Sequence, residues 1–186
     1  MNTTATATAT PARTTWTIDS SHSQVEFAVR HLMISTVRGR FAAVKGTLVA
    51  DEGELSTTQV EVAIDVNSID TREAQRDAHL KSADFFDAEQ FPILTFKSTR
   101  VTDVKGDRFK LVGDLTMHGV SREVTLDVTS EGRGKDPWGG ERAGYSAVTK
   151  INRRDYGLTW NQVLEAGGIA VGDEVKISLD LEVVKA

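Results

Sequence analysis

QVEVAIDV, residues 59–66, and EVKISLDLEV, residues 174–183, alternate large apolar residues with polar or small ones along their whole length. In the first, Val60, Val62, Ile64 and Val66 fall on one side of an extended chain, and Gln59, Glu61 and Asp65 on the other. In the second, Val175, Ile177, Leu179, Leu181 and Val183 alternate with Lys176, Ser178, Asp180 and Glu182. Successive side chains of a strand point to opposite faces, so this period of two means one face buried and one wet. Such alternation belongs to antiparallel sheets, because strands of a helix-covered parallel sheet read as continuous apolar runs.

Outward from these two stretches the same pattern recurs. Phe109, Leu111, Leu115 and Met117 share a face with Gly113, while Val124, Leu126 and Val128 oppose Glu123, Thr125, Asp127 and Thr129. Turn residues mark the joints: DEGE at 51–54, KGD at 105–107, HG at 118–119 and GRGKDPWGG at 132–140. About eight strands follow, over 16–31, 41–50, 59–67, 93–103, 108–118, 122–131, 143–152 and 174–185. Residues 71–83, TREAQRDAHLKSA, break the period and predict a short helix, with Asp70 as N-cap and Glu73 three positions on. An all-β meander of this strand count with one crossover helix fits a closed antiparallel barrel, which also removes exposed edges.

The bulk properties bound the function. One domain suits 186 residues. Cysteine is absent, which excludes disulfides, thiolate metal sites and cysteine nucleophiles. A net charge of −5 argues against nucleic acid as a partner and offers no polybasic patch. No apolar run approaches the ~20 residues of a membrane span. Residues 1–15, MNTTATATATPARTT, read as a disordered Thr/Ala tail ahead of a domain over 16–186. They have neither the basic nor the apolar region of a secretory signal, so the expectation is a cytoplasmic protein.

The stretch DSSHSQVEFAVRHLMISTVRGRF, residues 19–41, crowds two histidines, two carboxylates and three arginines together. Val25, Phe27 and Val29 form its apolar face and His31 continues it, while His22, Gln24, Glu26, Ala28 and Arg30 form the other. His22 and His31 are nine residues apart and take opposite faces, and no histidine pair has zinc-ligand spacing, so no metal site is expected. Arg38 and Arg40 flank Gly39 and are expected at a turn or barrel rim. No nucleophile elbow, P-loop or dinucleotide fingerprint is present, and nothing pairs a nucleophile with a base.

A barrel of eight strands is just wide enough to be packed solid or to hold one small ligand. With only 6% aromatic residues, large inner fillers are few, which is compatible with a hollow barrel. A packed barrel serving as an interaction module, or a cavity enzyme using His31 as general base, are the other readings.

The succession WTIDSSHSQVEFAVRHL, VRGRFAAVKGTL, SIDTREAQRDAHLKSADFFDAEQFPILTF, GDLTMHGVSREVTL and INRRDYGL resembles the YceI-like family of polyisoprenoid-binding proteins, in order from Trp16 to about Val184. The block holding Asp70-Thr71, Asp77, His79-Leu80, Phe85-Phe86-Asp87 and Phe91-Pro92 is its most specific part. The family pattern is also met at Asp19, His22, Ser23, Phe27 and His31, and at Asn152, Arg153, Asp155 and Gly157. The resemblance implies a lipocalin-like barrel with a hydrophobic cavity for a long isoprenoid, isoprenoid quinone or fatty-acyl molecule. It further implies a homodimer without cofactor or catalytic chemistry. On that footing Val25, Phe27, Val29, Val62, Ile64, Phe96, Phe109 and Leu115 are expected to hold an apolar chain. A polar head is expected near His31, Arg38, Asn152 or Arg153, with Tyr156 and Trp160 at the mouth.

Overall fold

The computed structural model describes residues 12–186. Eleven strands form one sheet in the order β1-β4-β5-β7-β8-β9-β10-β11-β2-β3-β6, and β1 also pairs with β11, which closes it. In chain order these are β1 Arg13–Ile18, β2 Gln24–His31, β3 Ser35–Phe41, β4 Val44–Asp51, β5 Glu54–Asp65 and β6 Ile69–Asp70. Then come β7 Ile93–Lys105, β8 Arg108–Met117, β9 Val120–Lys135, β10 Glu141–Asn152 and β11 Val171–Lys185. β1 and β2 act as one bent stave, since β11 pairs with β2 through Asp180↔Gln24 and with β1 from Val183↔Ile18 onward. β3 and β4 form a second, and the result is a closed antiparallel barrel of eight staves with every ladder antiparallel.

The alternation holds where it was read. Val62, Ile64, Phe109, Leu111, Val128 and Val183 are buried, and Glu61, Glu123, Asp127 and Lys176 are exposed. Two glycines occupy inward positions because aromatic rings lie across them. A Cβ at Gly39 would stand 2.4 Å from the Phe27 ring, and one at Gly113 would stand 2.6 Å from the Phe96 ring.

Arg38 and Arg40 lie within β3 and not at a turn, because the inward position between them carries no apolar side chain to betray the strand. The helix, α1, is shorter than expected, Ala74–Lys81, and its N-cap is Glu73, whose carboxylate accepts from the Gln75 and Arg76 amides. Asp70 lies in β6, accepts from the Arg72 amide and pairs with Arg40; Arg72 sits at φ 63°, which delays the helix. Several strands outrun their expected ends: β9 continues to Lys135 through half of the glycine-rich joint. Residues 13–15 of the expected tail belong to β1, and its residues 1–11 lie outside the described residues.

The barrel has unlike ends. The lower end, where β1 begins and β11 finishes, is filled by Trp16, Ala50 and Ala143, each at most 4% exposed, with the Arg133 guanidinium 5.2 Å from the Trp16 ring centre. At the upper end α1 and the turns of residues 82–92 lie between β6 and β7, and Phe86 meets Phe41 edge-on at 5.9 Å.

Candidate functional site

Above the Trp16 layer the barrel encloses an interior pocket of about 200 Å³. Inward residues of every stave border it. Along β11 alone Val175, Ile177, Leu179, Leu181 and Val183 do so, roughly 26 Å of strand at about 3.3 Å per residue. Of the positions expected to contact a ligand, Val25, Phe27, Val29, Val62, Ile64, Phe96, Phe109 and Leu115 all border it, as does Arg153. Leu80, Phe85 and Phe86 close its upper end, a role the period-two reading missed because helix and turn residues follow no strand alternation.

The polar candidates are not gathered in one place. His31 keeps the inward parity of Val29 but stands at the last position of β2, opposite Val171, and does not border the pocket. Arg38 points outward, opposite Ala28, and is exposed. Asn152 is exposed, and its Oδ1 accepts from the Arg154 amide to cap a short turn of helix over Arg153–Tyr156. Trp160 is half-buried against Phe85 and His79, with ring centres 5.2 and 4.8 Å apart. Tyr156 is 2% exposed, its hydroxyl has no hydrogen-bond partner among the described residues, and burial pushes its pKa up to about 12.

Among the described residues Arg153 is the buried charged group that borders the pocket, at 4% exposure. Its Nε donates to Gly172 O at 2.9 Å and its Nη1 to Leu158 O and Trp160 O at 2.6 and 2.9 Å. Asp173 lies 3.4 Å from Nη2. Burial lowers the guanidinium's proton affinity, and Asp173 acts against that. These bonds fold the 157–172 segment over the upper end of the barrel, so Arg153 brings a positive field and few free donors.

A second cluster lies where the first stave bends. Asp19 accepts from the Ser21 amide and hydroxyl at 3.0 and 2.6 Å, from Arg142 Nη1 at 2.8 Å, and faces His22 Nδ1 at 2.9 Å. Arg142 also bonds Glu182 and Asp136. Ser21, His22 and Arg142 together hold the Asp19 carboxyl well below the usual carboxylate range, while Asp19 raises the His22 pKa. Ligand atoms of Asp19, His22 and Glu182 fall within 4.8 Å of one another, a grouping that histidine spacing could not reveal. The Arg142 guanidinium already serves both carboxylates, and the arrangement staples β10 and β11 to the bend.

A family model described as the YceI-like domain matches residues 16–183. A UPF0312 protein of Staphylococcus aureus strain N315 is 39% identical over 170 residues, spanning 91% of this chain and 96% of that protein. Among solved structures, BcnA of Burkholderia cenocepacia superposes with a TM-score of 0.78 at 23% identity, over 89% of this chain and 98% of its own. A polyisoprenoid binding domain from Saccharophagus degradans superposes at 0.64 and 15% identity, over 92% of this chain and 98% of its own.

Proposed function

The chain belongs to the YceI-like family, and from that premise we propose that it binds one long apolar chain, isoprenoid or fatty-acyl, inside the barrel, as a carrier or store. The observation that carries this reading is the composition and shape of the pocket wall. It is long, slender and bordered almost wholly by aliphatic and aromatic side chains. Glu26 and Arg153 bring the only charges to its border among the described residues, and Glu26 is exposed on the outward face.

Each methylene-sized group buried there contributes up to about 0.8 kcal/mol. A chain of many such units therefore offsets the cost of association without a strong polar contact. The solid Trp16 layer makes the lower end a floor, so the polar head lies at the upper end, near Arg153 and Trp160. A polyisoprenoid binding domain of the same fold, that of Saccharophagus degradans, agrees with an isoprenoid cargo.

Organic extraction of the purified protein, with native mass spectrometry of the intact complex, tests the proposal directly. A stoichiometric long-chain species is expected, or uptake of an offered polyprenol, isoprenoid quinone or fatty amide. Ile64→Trp, in mid-pocket, should abolish that uptake at a fold cost of about 1–3 kcal/mol from overpacking. A protein that extracts clean and takes up none of the three would sink the proposal.

A further inference from the structure

The turn joining β2 to β3 runs through Leu32, Met33 and Ile34. Ile34 N–H donates to His31 O at 3.1 Å, and Leu32 and Met33 both sit in the left-handed region, at φ 51° and 59°. Asn and Gly ordinarily fill such positions, because bulky L-residues meet steric conflict there. Here the turn instead carries two large apolar side chains into water, Met33 at 56% and Ile34 at 79% exposure.

A second tip stands beside the first. Val163, 80% exposed, bridges to Ile169 in a small hairpin over residues 162–170. Leu32 N–H donates to Ala170 O at 2.8 Å, and Ala170 N–H donates to Gln162 O at 2.9 Å, so the two tips form one surface. That surface adjoins the upper end of the pocket. His31 pairs with Val171, and Val171 and Val29 both border the interior.

The charge around the tips runs against the protein's overall −5. Arg30 donates to Met33 O at 2.7 Å and to Thr36 Oγ1 at 3.2 Å, holding the turn and placing its charge beside it. Arg38 is exposed on the same outward face of the β2–β3 hairpin. Neither has a carboxylate within ion-pair distance among the described residues, and Glu165 is the one acidic residue on either tip. An exposed apolar patch with a cationic collar matches the interfacial zone of an anionic bilayer, where cations meet headgroups and apolar side chains leave water.

We propose that the two tips are a membrane-contact surface: Met33, Ile34 and Val163 enter the interface of a bilayer carrying anionic lipid while Arg30 and Arg38 meet its headgroups. The proposal rests on the cargo reading above, since a water-insoluble chain must be drawn from or returned to a membrane. The surface brings the upper end of the pocket to that source.

Flotation with phosphatidylcholine vesicles, with and without phosphatidylglycerol, tests it on the full chain. Binding to the phosphatidylglycerol vesicles is expected, weakened by added salt because the headgroup contacts are screened. The double variant Met33→Ser/Ile34→Ser should bind those vesicles at least about tenfold more weakly. Arg38→Glu should weaken binding as well. Leu32→Asn/Met33→Gly should lose vesicle binding while melting no lower than the parent, since it suits the turn better. All three should take up ethanol-dispersed polyprenol as the parent does.

A parent protein that floats with neither vesicle, or variants that float as well as it does, would overturn the proposal. So would a parent dimer that Met33→Ser/Ile34→Ser converts to monomer in sedimentation velocity, because a second copy would then be the occupant. Vesicle binding without polyprenol uptake would uphold the surface and remove the cargo reading alone.

Discussion

Along the lower half of the barrel, from the Arg13–Asp51 pair up to Val44 and Ile64, each stave has a strand neighbour on both sides, and Trp16, Ala50 and Ala143 fill the lumen beneath the pocket. Along the upper half β3 is flanked by β2 and only two residues of β6, and helix, turns and the 157–172 segment complete the wall. The lower half is held by continuous ladders and apolar packing. The upper half adds to its ladders the bonds of single polar residues, Arg153 foremost, and carries the exposed apolar tips. The proposed uptake of a chain at one end would use this division, a firm floor beneath a less continuous wall.

Three substitutions test whether the two halves differ in stability. Trp16→Ala should cost most, about 3–5 kcal/mol, because it empties the floor and removes the Nε1 bond to Thr14 Oγ1. Urea unfolding should shift as one cooperative transition for every probe. Arg153→Met should cost about 2–3 kcal/mol, since it strands the carbonyls of Leu158, Trp160 and Gly172. Hydrogen exchange should then lose protection over 157–172 well before the β1–β4 ladder. Uniform loss at both ends would erase the distinction between the halves.

The smallest effect belongs to His22, at the bend between the halves. Its pKa is raised by Asp19, so its contribution is whole below the ordinary histidine value of ~6.5 and fades as pH rises through the folded value. The depressed Asp19 carboxyl works the other way, contributing above ~3.9 and failing only in stronger acid. Urea midpoints between about pH 6 and about pH 8.5 should therefore fall in the parent and lie flatter in His22→Gln. A parent with no slope in that window would remove His22 from the account.

Much of the site was legible from residue order. Val62, Ile64, Phe96, Phe109 and Leu115 reach the pocket because their strands alternate, and alternation is written locally. Strand β3 was not legible, because glycine interrupts its inward positions between Val37 and Phe41 while arginines flank it on the outward face. The headgroup candidates were not legible either. Whether His31, Arg38, Asn152 or Arg153 faces the interior depends on where a strand ends and on which carbonyls a distant loop presents.

The antiparallel barrel, its inner face, the family and the one helix were all carried by residue order, since strand alternation, family blocks and helix signals are patterns among neighbouring residues. Only the tertiary structure decided that Arg142 gathers Asp19, Asp136 and Glu182. It alone decided that Arg153 spends its donors on the 157–172 segment, and that Met33, Ile34 and Val163 stand together at one end. Asp19 and Glu182, which meet on Arg142, lie 163 positions apart in the chain, and only closure of the barrel brings them together.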